Sequence, residues 1–494
     1  MEYQRGDTQD HTGVNQHSEA TGRLENLPDE MIHHIVTFAE SSTLFKLCLT
    51  NRRLNRIAMP VLYQNLHITY PCPSSTWEDC PNLRCLGTLR DRPELRSCIK
   101  TILHTVSGVW GHQSCDHPGP VLMRHFAELL GLDHQVFTEI PGWVREDRFV
   151  TLLAFLSPNL EFLASRRARS TWGWEPYTNS VLLEQISRSA VGISTIHRFD
   201  KLRFLHVEAG SAFCIPNQHA FPLVLLPRLE HLTLGGWGHV ATSDSDGSES
   251  DDDDRNGGSM IDRNDSTVYG QPWKWPVRTS LISELSLRYP KTSSKSACNM
   301  ILACKALTKF SCDRASEFSR WGNKKIYAHI ASALHEHHHT LRDISINEAW
   351  SLLYESIHGR IIDLSHMTVL THLRVPWGLI CFPGQKSLCN FLPRSVQALT
   401  IEFATHTFSN FGLQDLVSSL EILHPIVDTK LPSLRLVHVL WRESRWATHS
   451  LPFMTNARNL FEHTSVRFDI TLAFESSTYL SIVILNLRNL TSVQ

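Results

Sequence analysis

The densest group of side chains able to bind a metal or move a proton is His335-Glu336-His337-His338-His339. The run closes a segment of helical periodicity just before a strand-like stretch, where cationic or polar side chains suit a helix carboxy terminus, so it reads as a surface helix end. A second group, Cys72, Cys80, Cys85, Cys98 and Cys115 with His112 and His117, lacks the paired C-x-x-C spacing of a zinc knuckle and reads as ordinary buried or loop thiols. The sequence holds no glycine-rich phosphate loop, no Gly-x-Ser-x-Gly elbow and no His-Glu-x-x-His helix. The expectation is a protein with no catalytic residue, no metal and no cofactor.

Composition narrows the partners. The 494 residues carry 47 basic and 49 acidic side chains, net −2, which gives no global pull toward nucleic acid or membrane surfaces. Twelve scattered cysteines and an opening stretch without an apolar segment point to a reducing compartment, cytoplasmic or nuclear. One block stands apart: residues 243–266 hold nine acidic and two basic side chains, net −7, leaving +5 on the rest of the chain. Such a block repels itself and buries little, so it reads as a disordered acidic insertion, with Ser245, Ser248 and Ser250 placed among carboxylates as phosphorylation candidates.

The elements behind these residues follow from periodicity. An apolar-x-x-apolar-x-apolar pattern recurs at Leu202–Val207, Leu229–Leu234, Ile282–Leu287, Leu307–Cys312, Leu341–Ile346, Leu370–Val375, Val396–Ile401 and Leu434–Val439, with a shortened form at Leu160–Leu163. The steps 202 to 229, 282 to 307, 341 to 370 and 370 to 396 are 27, 25, 29 and 26 residues. Removing the acidic insertion brings the step from Leu229 to Ile282 from 53 residues to 29. Helix-like segments such as 181–186, 326–334 and 413–422 fall between the strands. Other steps run longer, such as 42 residues from Leu160 to Leu202, but a strand then a helix, repeated, is a stack in which each unit buries its apolar face against its neighbours. Within each strand the period of two puts the second and third apolar positions in the core and the residues between and after them on the open face. Trp237, Trp350, Trp377 and Trp441 each follow or end a strand, where they could anchor an interface or plug a turn; both readings stand.

The amino-terminal part differs in kind. Residues 1–22 are polar and read as a disordered lead. From Arg23 to Ile68, three short helices are expected. Pro28, Asp29 and Glu30 suit a helix start, and Met31, Ile32, Ile35 and Phe38 recur with helical spacing. Leu44, Phe45, Leu47 and Cys48 mark a second turn, and Leu54, Ile57, Ala58, Val61 and Leu62 a third. A unit this small carries more apolar side chains than it can bury alone, which implies a second surface, either a partner or the downstream domain.

Leu27-Pro28-Asp29-Glu30, Ile32, Ile35, Leu44, Leu47, Asn51-Arg52-Arg53-Leu54 and Met59-Pro60-Val61-Leu62-Tyr63 together resemble an F-box, in the form it takes in fungal proteins. Leu54 stands where many F-boxes have tryptophan or another aromatic. The resemblance implies binding to the Skp-family adaptor of a cullin-RING ubiquitin ligase through Leu27, Pro28, Ile32, Ile35, Leu44, Leu47 and Leu54. The recurring strand pattern resembles an irregular leucine-rich repeat, without the asparagine or cysteine that usually follows the strand. The expected fold class is therefore α/β: a short all-helical F-box, then a leucine-rich-repeat solenoid with parallel strands lining a horseshoe and helices outside. The expected divisions are a lead at 1–22, the F-box at 23–70, a connector at 71–98 and the repeat domain at 99–494, interrupted at 243–266.

Together these resemblances imply a non-catalytic substrate-receptor subunit of an SCF-type ligase, with partners in the adaptor, through it cullin, and a protein substrate, and none in nucleic acid or membrane. A protein that uses its F-box with the adaptor but joins no ligase would share every motif. His206, His231, Lys309, Asp343, His372 and Arg374 are the candidate substrate-binding residues on the open strand face.

Overall fold

A computed structural model describes residues 26–70, 81–106, 119–132, 145–167, 181–194, 196–208, 215–237, 267–288, 292, 294–313, 326–347, 363–376, 391–405, 420–421, 423–424, 427–443, 459–462, 464–474 and 483–486. The expectations for the lead at 1–22, for the acidic insertion at 243–266, for Trp350 and Trp377, and for Cys72, Cys80, Cys115, His112 and His117 lie outside the described residues. The chain falls into two compact units, one reaching Gln64 and the other starting at Asn65.

The first unit is helical: α1 (Asp29–Val36), α2 (Ser41–Thr50) and α3 (Arg52–Gln64). Helix α1 starts at Pro28, with Asp29 and Glu30 in its first turn, and buries Ile32 and Val36, four residues apart on one face. Asn51 caps α3 by accepting the Leu54 N–H at 2.8 Å, satisfying a backbone donor that the helix start leaves without a partner. Asp29 ties the first helix to the third. It accepts from Arg53 Nε at 2.7 Å and pairs with Arg56, while Arg53 Nη2 donates to Leu27 O at 2.6 Å. These guanidiniums, Arg56 foremost, hold the Asp29 carboxyl below its usual range. Ile32, Val36, Leu44, Cys48, Leu54, Ile57 and Ala58 form the core of the unit.

The second unit is one 13-stranded sheet in sequential order: β1 (Asn65–Tyr70), β2 (Thr101–Val106), β3 (Phe162–Arg167), β4 (Phe204–Glu208), β5 (His231–Gly235), β8 (Glu284–Arg288), β9 (Lys309–Asp313), β10 (Asp343–Asn347), β11 (His372–Pro376), β12 (Ala398–Thr405), β13 (Leu436–Glu443), β14 (Arg467–Phe474) and β15 (Val483–Asn486). Strands β1 to β14 of this sheet pair in parallel, which makes twelve of the thirteen; β15 returns antiparallel to β14. The small hairpin of β6 (Thr267–Val268) and β7 (Gln271–Pro272) stands apart. A helical amino-terminal region followed by a twelve-strand parallel sheet with helices, and no closed barrel among the described residues, is the α/β arrangement expected from the sequence.

Parallel neighbours need a crossover, and between strands lie helices such as Arg145–Phe155, Val181–Ala190, Ser294–Ala303 and Ile326–His335. The register stacks one apolar row through Leu205, Leu232, Leu285, Phe310, Ile344, Leu373 and Leu399, all at most 1% exposed. A second row runs through Val207, Leu234, Leu287, Cys312, Ile346 and Val375. This second row changes character at its start, where His104 and Ser165 take the apolar places and bond to each other, His104 Nδ1 lying 2.9 Å from Ser165 Oγ.

One detail differs from the sequence reading, and another decides between two readings left open. His337 is not on the surface: it is 4% exposed, its Nε2 lies 3.0 Å from Ile301 O and its Nδ1 accepts the Leu307 N–H, so it stitches one helix end to the preceding repeat. Trp237 is fully buried, edge-on to Phe221 at 6.2 Å, and plugs the turn after β5. Residues 81–91 form a helix and 93–98 a 3-10 turn.

Candidate interaction surfaces

In the helical unit the predicted adaptor residues divide sharply. Ile32, Leu44 and Leu54 are buried in the unit's own core. Leu27 and Leu47 pack half-buried against that core, and Pro28 and Ile35 are exposed. The large apolar side chains left outside are Met31 (53% exposed), Ile35 (44%), Phe38 (78%), Phe45 (57%) and Leu49 (71%). Met31, Ile35 and Phe38 recur at helical spacing along α1 and its end, and Phe45 and Leu49 one turn apart on α2. Leu49 was missed in the sequence. Its signal was there in Leu44-Phe45 followed by Leu47-Cys48-Leu49: an apolar surface wrapping most of a helix exceeds what one core face uses.

In the sheet unit, His206, His231, Lys309, Asp343, His372 and Arg374 all alternate with buried strand residues and lie on the face opposite the apolar rows. Three rows cross this open face. The first runs Phe162, Phe204, His231, Glu284, Lys309, Asp343 and His372. The second runs Ala164, His206, Thr233, Ser286, Ser311, Ser345 and Arg374, and the third runs Arg166, Glu208, Gly235, Arg288, Asp313 and Asn347.

The outer two rows are paired within the protein. In the first, Phe204 stacks on His231 at 4.2 Å between ring centroids, His231 Nδ1 lies 3.0 Å from Glu284, and Lys309 lies 3.8 Å from Asp343. In the third, Arg288 pairs with Glu208 and also approaches Asp313 at 3.3 Å, and Asn347 donates to Asp313. Glu208 and Arg288 stand two strands apart, and Gly235 between them has no side chain to block the carboxylate. A Cβ at Gly235 would sit 2.8 Å from Glu208 Cγ and 3.2 Å from its Cα. Burial pushes the Glu208 carboxyl up, but the hydrogen bond from His206 and the Arg288 charge outweigh it and hold the group at about 2. Farther along, Arg374 Nε donates to Glu402 at 2.7 Å, and Glu402 is only 7% exposed.

Among the described residues no group of three His, Cys, Asp or Glu side chains is placed to hold a metal ion. His335 instead stacks on His338 at 5.2 Å between ring centroids and meets His366 edge-on at 5.7 Å, and His338 lies tilted against His339 at 3.7 Å. Burial pushes the Cys85, Cys298 and Cys304 thiols up to about 12, away from the thiolate that reactivity requires. No helix of the described residues is long and apolar enough to cross a membrane.

Residues 24–69 match the family model described as F-box-like. The helical unit is therefore an F-box-like domain, a protein-interaction module of the kind that generally binds Skp-family adaptors. No curated protein matches the chain.

Proposed function

We propose that the chain is the substrate-receptor subunit of a cullin-RING ubiquitin ligase of the SCF type. The observation that carries this is an F-box-like domain with five large apolar side chains, Met31, Ile35, Phe38, Phe45 and Leu49, outside its own core. Exposed apolar groups on so small a unit are a docking surface, and a Skp-family adaptor is the partner that such a domain generally takes. Leu27, Pro28 and Leu47 extend this contact, while Ile32, Leu44 and Leu54 shape it from beneath.

The second unit then holds the protein to be ubiquitinated. Four of its steps, at 25 to 29 residues, and its sequential parallel strands support reading it as an irregular leucine-rich-repeat domain. Such a subunit carries no chemistry of its own. It raises the local concentration of the captured protein beside the ubiquitin-carrying enzyme. The test is reconstitution: purified chain, adaptor and cullin mixed and resolved by size exclusion. A ternary peak supports the ligase role, a peak holding adaptor without cullin reduces the reading to an adaptor partner outside a ligase, and no shared peak refutes it.

A further inference from the structure

The middle row of the open face differs from its neighbours. Across β5, β8, β9 and β10 it presents Thr233, Ser286, Ser311 and Ser345, four small hydroxyl side chains in register. Ser311 donates to Ser286 at 2.7 Å, which leaves the Ser286 proton to be donated outward, since a hydroxyl both donates and accepts. Taller charged side chains rise on either side: Glu284, Lys309 and Asp343 along one rail, Arg288 and Asp313 along the other. The result is a trough with a hydroxyl floor. A depression of about 60 Å³ lies in it, lined by His231, Thr233, Glu284, Ser286, Lys309 and Ser311. Drug-sized ligands and cofactors take roughly 300–1,000 Å³, so the trough is a furrow for a side chain or two of a passing chain.

At its upstream end the first row turns aromatic. Phe162 and Phe204 lie 5.7 Å apart and Phe204 stacks on His231, all three half-buried. From β3 to β10 there are five strand steps of about 4.8 Å each, roughly 24 Å, the length of about seven extended residues.

Charge decides what would lie there. Lys309 is engaged by Asp343, and Arg288 by Glu208 and Asp313. A phosphate or carboxylate arriving at these cations would have to displace a carboxylate already in place, and a basic side chain would have to displace a cation. We infer that this face reads an uncharged polar segment of the captured protein, with one aromatic or aliphatic side chain on the Phe162–Phe204–His231 bench and hydroxyl or amide side chains over the trough. This deepens the receptor reading and rests on it: the segment is the recognition element of the substrate.

The probe is a set of three immobilised nonapeptide pools. One carries a single aromatic residue among Ser, Thr, Asn and Gln; the second adds a central phosphoserine; the third replaces the polar residues with Lys, Arg, Asp and Glu. Full-length chain in complex with the adaptor is passed over each. The neutral pool should retain it at least about tenfold better than the others, the value of one or two hydrogen bonds, and raising salt from about 0.15 to 0.5 M should leave that retention within a factor of about two. Ser311→Lys and, separately, Ser345→Lys should each cut retention about tenfold with an unchanged melting temperature. Equal or better retention on the phosphoserine or charged pools overturns the inference, as does retention by none. Because every run carries adaptor-bound chain, such a failure leaves the adaptor half of the receptor reading standing.

Discussion

Gly235→Ala is the most specific perturbation of the open face, because a single methyl group meets both a backbone and an ion pair. The new Cβ would lie 2.8 Å from Glu208 Cγ and 3.2 Å from Glu208 Cα. The side chain can swing away, but the Cα belongs to β4, hydrogen-bonded on both sides, and yields only if the strands part. Overpacking of this kind costs about 1–3 kcal/mol. Swinging Glu208 away also parts it from Arg288, whose side chain is 38% exposed; a pair open to solvent to that degree adds about 0.2–1 kcal/mol. The sum is about 1–4 kcal/mol. For a unit of this length, where one kcal/mol moves the midpoint by about 1–2 °C, thermal unfolding should fall by roughly 1–8 °C. Calorimetry of a double-mutant cycle identifies the cause. In a Glu208→Ala background the 2.8 Å contact has no Cγ to meet, so Gly235→Ala should cost about half as much. Costs that add within about 0.5 kcal/mol would refute the reasoning, since residues that do not touch are additive to that degree.

Other expected outcomes concern charge and pH. Burial holds His219 down at about 4, against the opposing pull of Glu184; the unfolded chain therefore takes up its proton first, and stability present above pH ~6.5 is lost as pH falls toward 4, by up to ~3 kcal/mol. Denaturant titrations between pH 7 and 4.5 should show His219→Gln removing one proton's worth of that slope; an unchanged slope contradicts it. Arg374→Met takes the guanidinium donors away from the nearly buried Glu402 carboxylate and should destabilise by about 1–3 kcal/mol, with Arg374→Met plus Glu402→Gln recovering most of it. A double variant no more stable than the single one would show that the pair is not what Arg374 supplies.

Much of the sheet was legible because its rule is local. In Leu229-Glu-His-Leu-Thr-Leu234 the alternation alone says that Leu232 and Leu234 go inward and that His231 and Thr233 stay out, and the structure places them so. The same rule missed β2 and saw β3 only in the shortened form Leu160–Leu163, because the third apolar position there is His104 or Ser165: two polar residues fit an apolar row as a pair, and pairing across 61 residues leaves no local trace. Gly235 was invisible for a related reason. Its use is to let Glu208 reach Arg288 over β5, a relation among three strands that becomes visible once the register is known. In the helical unit, periodicity marked the apolar residues of α1 and α2 but not their destination. Ile32 and Ile35 look alike in sequence, yet one lies in the core and the other in solvent, because the helix turns one face toward the core of the unit and the next away from it. The resemblance to an F-box named the segment that matches the F-box-like model, and the residues it implied fall partly in the unit's core and partly outside it.

That distinction defines the most direct measurement of the central claim: titration calorimetry of the purified chain with a Skp-family adaptor, for the wild type, for Phe45→Ser with Leu49→Ser, and for Leu44→Ala. Phe45 and Leu49 are 57% and 71% exposed, whereas Leu44 is 4% exposed. The wild type should bind one to one. The surface pair should keep its melting temperature and lose about 2–5 kcal/mol of binding, enough to abolish a measurable signal. Leu44→Ala should instead lower the stability of the helical unit by about 2–5 kcal/mol. A wild type that does not bind the adaptor, or a folded Phe45→Ser, Leu49→Ser chain that binds with undiminished affinity, would contradict the account.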